Sequence, residues 1–194
     1  TLTDHLKKMS IDIKDIINDH LRITEMLLND IINIEKICSI ALSTIKNGNT
    51  ILLCGNGGSA SDSIHISSEI TGKFENERKA LPAISLAANQ ADLTAIANDF
   101  GFEYIFSRQI EAIGRRGDLL IAISTSGNSK NVIKAIEAAQ KKDIQVIILT
   151  GENGGEINNF DCTKLKVPSN NVARIQENHI LIGHIISKYI ELNI

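Results

Sequence analysis

The N-terminal part of the chain places apolar residues at a helical period. Residues 11 to 47 contain neither Gly nor Pro, which predicts a helix that ends near Asn47 and Gly48. The apolar stripe is formed by Ile16, Ile17, Leu21, Leu27, Leu28, Ile31, Ile32 and Ile45, and Ile34 and Ile37 widen it. So broad a stripe indicates packing on more than one neighbour, which is either another subunit or the core of the same chain.

Beyond Gly48 short apolar runs alternate with helical stretches. The runs read "TILLCG", "LPAISLA", "DLLIAIS", "IQVIILT" and "TKLKVP". The intervening stretches predict helices over roughly residues 59 to 73, 90 to 97, 102 to 114, 128 to 141 and 172 to 192. Continuous apolar strands separated by helices predict an α/β fold with a five-stranded parallel sheet covered on both faces.

The chain of 194 residues, 43% of them hydrophobic, is long enough for one domain with a sizeable core. No linker or repeat divides it, so we predict a single domain over residues 1–194. Within it, residues 1–48 form a long helical segment for subunit packing, and residues 49–194 form the α/β core with the C-terminal helix.

Charge and cysteine content exclude several classes of function. Twenty basic and 23 acidic residues leave a net charge of -3, without the basic face of a nucleic-acid-binding protein. No apolar run reaches the roughly 18 residues of a membrane span, and the first residues lack the apolar core of a secretory signal. Cys38, Cys54 and Cys162 are widely spaced, as expected of reduced thiols. We therefore expect a cytoplasmic protein without nucleic-acid or membrane partners.

The loop "CGNGGSASD" follows the first predicted strand. Gly55, Gly57 and Ala60 match a loose dinucleotide fingerprint, but the next strand lacks the carboxylate that would hold a ribose, and no Lys-Ser/Thr of a phosphate-binding P-loop follows. Two interpretations remain. Either the glycines admit a ligand while Ser59 caps the helix and leaves amide hydrogens for an anion, or the loop is a plain turn with a serine cap.

A second loop, "ISTSGNSKN" at residues 123 to 131, follows the third predicted strand. It brings four hydroxyl groups to a strand-to-helix junction: Ser124, Thr125, Ser126 and Ser129. Such a neutral cradle suits a phosphomonoester, although serine and threonine also populate ordinary turns. The Gly-x-Ser-x-Gly pattern of a hydrolase nucleophile is absent, because Ser124 stands where the first glycine would be.

Two helical segments carry candidate metal ligands. His65 and Glu69 are four residues apart, so they share one helix face and could share a cation or a substrate. Gln176 and His184 are eight residues apart, about 12 Å along a helix, so one cation reaches both only if it lies between them. His179 lies on another face and is expected to be a packing or surface residue.

Taken together, these motifs resemble the sugar isomerase (SIS) superfamily and, within it, the phosphoheptose isomerases. The resemblance covers nearly the whole chain and depends on "GNGGSxxDxxHxxxE", "ANDFG", "STSGNS" and "RIQExHxxxxH". It implies isomerisation of sedoheptulose 7-phosphate to D-glycero-D-manno-heptose 7-phosphate, the first step of bacterial ADP- or GDP-heptose synthesis for lipopolysaccharide or capsule. It also implies one divalent metal per subunit, usually zinc, no nucleotide cofactor, and a homotetramer with active sites at subunit contacts.

The resemblance assigns roles to residues of this chain. Glu69 and His184 are the implied proton-transfer groups. The implied metal ligands are His65, Glu69, Gln176 and His184. The implied substrate-binding residues are Asn56, Gly57, Gly58, Ser59, His65, Glu69, Asn98, Asp99, Ser124, Thr125, Ser126, Ser129 and Gln176.

A second class of function remains open. Some SIS proteins of this size are non-catalytic sugar-phosphate sensors or associate with the replication initiator, and such a protein could keep the sheet and loops without the four metal ligands. All four are present in this chain, which favours the enzyme. A carboxylate or imidazole bound tightly to zinc is a poor base, so either one group leaves the metal during turnover or the two roles belong to different residues.

Overall fold

The computed structural model of the protein describes residues 12–194. The predicted ranges that begin at residues 1 and 11 therefore start outside the described residues. Two helices precede the sheet, α1 (Ile13–Met26) and α2 (Ile31–Lys46). The long N-terminal helical segment is thus confirmed, and a 3-10 turn (Leu27–Asp30) interrupts it.

The interruption has a local cause in the Asn-Asp pair at positions 29 and 30. Both residue types compete with the helix by hydrogen bonding through their side chains. The backbone of Asp30 leaves the helical region (φ −115°, ψ 19°), and its carboxylate accepts a hydrogen bond from Nδ2 of Asn33 at 3.0 Å. The apolar period, which continues across this point, does not reveal the break.

The remaining elements alternate as predicted. In chain order they are β1 (Ile51–Cys54), α3 (Gly58–Thr71), β2 (Ala83–Ser85), α4 (Gln90–Phe100), α5 (Ser107–Ile113), β3 (Leu119–Ser124), α6 (Lys130–Lys141), β4 (Gln145–Gly151), β5 (Thr163–Val167) and α7 (Val172–Asn193). The helix predicted over 102 to 114 is divided into a 3-10 turn (Phe102–Tyr104) and α5.

The five strands form one parallel sheet in the order β2-β1-β3-β4-β5. Alternate strand residues enter two cores. Leu53 and Ile121 pack under α2, α3 and α7, whereas Leu52 and Leu120 pack under α4, α5 and α6. The helices after β1 and β3 therefore lie on opposite faces, and a crevice opens between these neighbouring strands at their carboxyl ends. This topology places the two predicted ligand loops side by side.

Helices α3 and α7 run parallel and in close contact. A Cβ atom added to Gly183 would lie 2.3 Å from Cγ1 of Ile66, so the glycine is required for this approach. Gly58 lies against Gln176 at the start of the pair, and His65 faces His184 further along. The register of the two helices thus sets which polar side chains meet.

Helix α1 is held on α7 by a polar network. Arg174, which is nearly buried, donates from Nη1 to the carbonyl of Ile16 at 3.0 Å and pairs with Glu177. The other oxygen of Glu177 lies 2.8 Å from Nδ1 of His20. These contacts fix α1 at the position where α7 begins.

Much of the predicted apolar stripe is exposed. Leu27, Ile34, Ile37 and Ile45 are buried, but a second group is not, and Ile32 is 84% exposed. Together with Ile13, which the stripe did not include, we call this group the N-terminal apolar surface: Ile13, Ile16, Ile17, Leu21, Leu28, Ile31 and Ile32. An apolar surface of this kind is typical of a protein contact. Over residues 12–194, the structure contains no helix with both the length and the apolar content needed to cross a membrane.

The three cysteines are free, as predicted. Cys38 and Cys54 are buried and Cys162 is half-buried. Burial raises the pKa of the Cys38 thiol to about 11 and that of Cys54 to about 12. Both thiols therefore stay protonated and unreactive near neutral pH.

We expect Gly183→Ala to destabilise the protein by about 1 to 3 kcal/mol, because the new methyl group overlaps Ile66. Ile66→Ala removes the overlapping atoms, so the double variant should lose less stability than the sum of the two single variants. Urea unfolding of all four proteins measures this coupling. Strictly additive losses would show that the two residues do not limit the approach of the helices.

His179 predicts a pH dependence of stability. It is fully buried, with Nε2 3.2 Å from the carbonyl oxygen of Thr150, and burial lowers its pKa to about 4. Because the unfolded chain takes up this proton near pH 6.5, stability is complete above that pH and falls as the pH approaches 4, by about 3 kcal/mol at most. His179→Gln should show a smaller loss of unfolding free energy between pH 7 and pH 4.5. An unchanged pH dependence in this variant would contradict the assignment.

Candidate active site

The loop after β1 starts α3 earlier than predicted. Gly57 is the N-cap (φ 55°), and Ser59 lies buried in the first turn, so the prediction that Ser59 caps the helix is wrong. The N–H groups of Ser59, Ala60 and Ser61 donate to the carbonyls of Asn56 and Gly57. These three amides are therefore already paired and are not left for an anion. The helix was predicted to begin at Ser59, but the turn at Gly57 lets it begin at Gly58, so Ser59 falls inside the helix.

Asn56 joins the first loop to the second. Its side-chain amide and that of Asn131 exchange two hydrogen bonds, each of 2.8 Å. Asn131 is buried in the first turn of α6, next to the serine-rich loop. The sequence offered no sign of this pair, because the two residues lie 75 positions apart.

The serine-rich loop is ordered by its own hydroxyl groups. Oγ of the buried Ser124 accepts a hydrogen bond from the N–H of Gly127 at 3.1 Å and lies 3.2 Å from Oγ of Ser129. Oγ of Ser126 accepts from the N–H of Asn128 at 3.2 Å. Ser129 then precedes α6 as its N-cap residue. Part of the predicted hydroxyl cradle thus shapes the loop.

Two cavities open beside this loop. One of about 310 Å³ is lined by Thr125, Ser126, Asn128, Asn153, Gly155, Asn170, Val172 and Ile175. The other, of about 470 Å³, is lined by Asn56, Ser129, Lys130, Asn131 and residues 100–103. Polar side chains and the start of a 12-residue helix suit an anionic ligand in this region.

Three predicted metal ligands converge between α3 and α7. Nε2 of His65 lies 3.1 Å from Oε1 of Glu69 and 3.5 Å from Nε2 of His184. One ligand atom from each of the three residues falls within 4.8 Å of the others. The side chains are accessible, with 48% of His65 and 23% of Glu69 exposed.

The geometry of this group fits zinc. Donors bound to tetrahedral zinc at about 2.0 to 2.1 Å lie about 3.4 Å from one another, which is close to the two separations measured from Nε2 of His65, 3.1 and 3.5 Å. Two imidazoles and one carboxylate are the three protein ligands of many catalytic zinc sites, where the fourth position is open. The residues present therefore suit the divalent metal, usually zinc, that the resemblance implies.

The contact of Gln176 with Gly58 shows where the fourth predicted ligand lies. Its side-chain amide packs against Gly58, where an added Cβ would meet Nε2 at 2.4 Å. Gly58 precedes His65 by seven residues, which is about 10 Å along the helix. Gln176 thus meets the first turn of α3, and its neighbour Ile175 lines the cavity of about 310 Å³ beside the serine-rich loop. Its role as a ligand stays a prediction.

Asp62, one turn before His65 on α3, was not predicted as a site residue. Its Oδ2 is buried without a hydrogen-bond partner among the described residues. Burial raises the pKa of this carboxyl group to about 6, although the nearby His65 opposes the shift. A partly buried aspartate in the helix that carries the ligands adds negative charge close to the candidate metal centre.

Asn98 and Asp99 lie near the end of α4 and are hydrogen bonded to each other at 2.8 Å. Asp99 lines a further cavity of about 310 Å³ together with Arg108. Phe100, the next residue, lines both this cavity and the one beside Asn56. The two residues thus flank the site, and their contact with a substrate stays a prediction.

Known proteins match the chain over most of its length. The model of the SIS domain family matches residues 19–151. The phosphoheptose isomerase of Aliarcobacter butzleri (strain RM4018) is 51% identical over 158 residues, which cover 81% of this chain and 84% of that protein. The phosphoheptose isomerase of Campylobacter concisus (strain 13826) is 45% identical over 179 residues, 92% of this chain and 95% of that protein.

A solved structure shows the same architecture. The phosphoheptose isomerase from Neisseria gonorrhoeae superposes with a TM-score of 0.85 at 39% identity, covering 99% of this chain and 100% of that chain. The superposition includes the sheet, both ligand loops and the helices that carry the His65, Glu69 and His184 group. On these grounds the chain belongs to the SIS domain family and, within it, to the phosphoheptose isomerases.

Proposed function

We propose that the protein is a metal-dependent isomerase that interconverts sedoheptulose 7-phosphate and D-glycero-D-manno-heptose 7-phosphate. The convergence of His65, Glu69 and His184 is the observation that carries the proposal, because a non-catalytic sugar-phosphate sensor has no need of it. The phosphoheptose isomerases that the chain resembles at 45 to 51% identity support the same reaction.

The substrate would lie along the groove between the loops and the ligand group. The serine-rich loop and the start of α6 would bind the phosphate through hydroxyl and backbone N–H groups. Gln176, which packs against Gly58 next to the cavity that Ile175 lines, would contact the sugar chain. The substrate carries a phosphate at one end and a carbonyl near the other. This suits a phosphate-binding loop and a metal centre that lie at different positions along α3.

The candidate metal centre would hold zinc through His65, Glu69 and His184, with Gln176 as the fourth ligand that the resemblance implies. A bound zinc ion would polarise the carbonyl and the neighbouring hydroxyl group of the sugar. If Glu69 binds the metal through Oε1, the atom that lies 3.1 Å from Nε2 of His65, its second carboxylate oxygen would remain for proton transfer. Glu69 could then bind the metal through one oxygen and act as a base through the other, although a carboxylate bound to zinc is otherwise a poor base.

The chain's residues would move two protons with no net gain or loss. Glu69 would take a proton from C1 of the ketose and return it to C2. His184 would pass the proton of the O1 hydroxyl group to O2. The aldose that results carries its carbonyl at C1, and both side chains return to their starting state.

We also propose a cytoplasmic homotetramer with active sites at subunit contacts. The N-terminal apolar surface would be covered by other copies of the chain, because side chains such as Ile32 are left exposed by residues 12–194. Asn98 and Asp99, which flank the site, would then approach the substrate where subunits meet. The free thiols suit a reducing compartment.

The isomerase is tested by following aldose formation from sedoheptulose 7-phosphate. A chelator should abolish turnover of the wild-type protein and added zinc should restore it. Glu69→Gln should keep zinc but lose about 10²- to 10⁴-fold in kcat, because the amide cannot accept the proton. Glu35→Gln, the same change at an exposed position on α2, is the matched control.

Each outcome of that assay has a distinct meaning. Sugar-phosphate binding without turnover, in a protein that holds no zinc, would favour the non-catalytic class. Full turnover by zinc-loaded Glu69→Gln would remove Glu69 from the role of base while leaving the isomerase intact.

The oligomer is tested by placing charge on the N-terminal apolar surface. Ile17→Asp with Leu21→Asp should dissociate the tetramer, because both side chains would be buried between subunits. Light scattering coupled to size-exclusion chromatography gives the mass. Asn18→Asp introduces the same charge beside Ile17 at an exposed polar position and should leave the mass unchanged. A wild-type protein that is monomeric would refute the assembly.

A further inference from the structure

A buried carboxylate near the end of α7 binds the segment that follows α3. The side chain of Glu191 is only 2% exposed. It accepts hydrogen bonds from the backbone N–H groups of Phe74, Glu75 and Asn76 at 2.8 to 2.9 Å, and from Nδ2 of Asn76 at 3.2 Å. Burial raises the pKa of this carboxyl group, but the hydrogen bonds outweigh it and lower the pKa to about 2. Glu191 is thus ionised and fully used in holding three successive amides.

A buried guanidinium completes this arrangement. The side chain of Arg78 is 7% exposed, and its Nε lies 3.5 Å from Oε2 of Glu191. Nη2 donates to the carbonyl of Glu69 at 2.8 Å, and Nη1 donates to the carbonyls of Gly72 and Lys79 at 3.1 and 3.0 Å. The ion pair therefore joins α7 to the last turns of α3, including the backbone of a candidate metal ligand.

The segment that Glu191 holds delivers an aromatic ring to the candidate metal centre. The ring of Phe74 packs on the imidazole of His184, with centroids 5.4 Å apart and planes inclined by 40°. Among residues 12–194, the hydrogen bonds of this imidazole involve only Nε2, which faces His65. The described residues thus give the imidazole two ring contacts, an edge contact with His65 at 5.0 Å between centroids and the packing against Phe74.

We propose that Glu191 is a positioning residue of the candidate metal centre, which acts by holding Phe74 against His184. The inference rests on the proposed function, because it assigns the ring a role in presenting a zinc ligand. Ligand imidazoles are commonly oriented by a hydrogen bond to the second ring nitrogen. In this protein the ring of Phe74 would orient the imidazole of His184 instead. The buried ion pair of Glu191 and Arg78, neither of which is a metal ligand, holds Phe74 in position.

The segment that follows Phe74 needs such a fixed point because it is exposed. Residues 75–77 are exposed, and a segment of this kind would sample many conformations without a fixed point. Three amides on one carboxylate reduce that freedom, so Phe74 is in place before the metal arrives. Loss of this preorganisation should weaken zinc binding without removing any ligand atom.

The test measures zinc affinity by competition with a chromophoric chelator, and the imidazole resonances of His184 in the metal-free protein. Glu191→Gln loses the ion pair and turns an N–H group toward backbone donors, and Phe74→Leu removes the ring. Both should weaken zinc affinity about 10- to 100-fold and shift the His184 resonances. Phe74→Tyr, which keeps the ring, should retain the wild-type values.

Lys188→Ala is the matched control. It removes an exposed salt bridge between α7 and Glu75 of the same segment, at 2.9 Å, and leaves the buried pair intact. Zinc affinity and the His184 resonances should stay at the wild-type values. Equal effects of this variant and Glu191→Gln would overturn the special role of Glu191.

The remaining outcomes separate the inference from the proposed function. Wild-type zinc affinity and unchanged His184 resonances in both Glu191→Gln and Phe74→Leu would overturn the inference. If Glu191→Gln does not fold, Phe74→Leu decides by the same two measurements. If the wild-type protein binds no zinc, the metal site of the proposed function is refuted, and the His184 resonances of the metal-free proteins decide the inference alone.

Discussion

The close parallel contact between α3 and α7 is the constraint on which the candidate metal centre depends. Gly183 lets Ile66 approach within the space that a methyl group would fill, and this sets the register of the two helices. Since each residue advances a helix by about 1.5 Å, a shift of one position would separate His184 from His65. The contact that packs the core thus also aligns the ligands.

The sheet order brings the second part of the site into place. Helices leave β1 and β3 toward opposite faces, so their loops border one crevice, and the Asn56 and Asn131 amides tie the two loops together. The phosphate-binding part and the metal-binding part of the site are therefore held in place by different structural features. The loops depend on topology, whereas the ligand group depends on the packing of two helices.

Prediction from sequence succeeded where local geometry decides the outcome. All five strands were placed correctly. In β1, β3 and β4 the apolar runs reflect that a buried parallel strand excludes polar residues, whereas β5, with Lys164 and Lys166, lies at the edge of the sheet. His65 and Glu69 could be paired because four residues make slightly more than one helical turn, which returns both side chains to one face. Ser59 was wrongly predicted as the helix cap because Gly55, Gly57 and Gly58 can each adopt a turn conformation. The sequence does not show at which of them the helix begins.

By itself, the sequence determined the α/β class, the chemistry of the two loops and the residue types that can bind a metal. The tertiary structure decided which of these groups meet. It brought His184 to His65 across 119 positions, set Gln176 against Gly58, and joined Glu191 to the segment that carries Phe74. The physical reason is that periodicity records only which face of an element is apolar, whereas contacts between distant residues depend on the register in which packed helices settle.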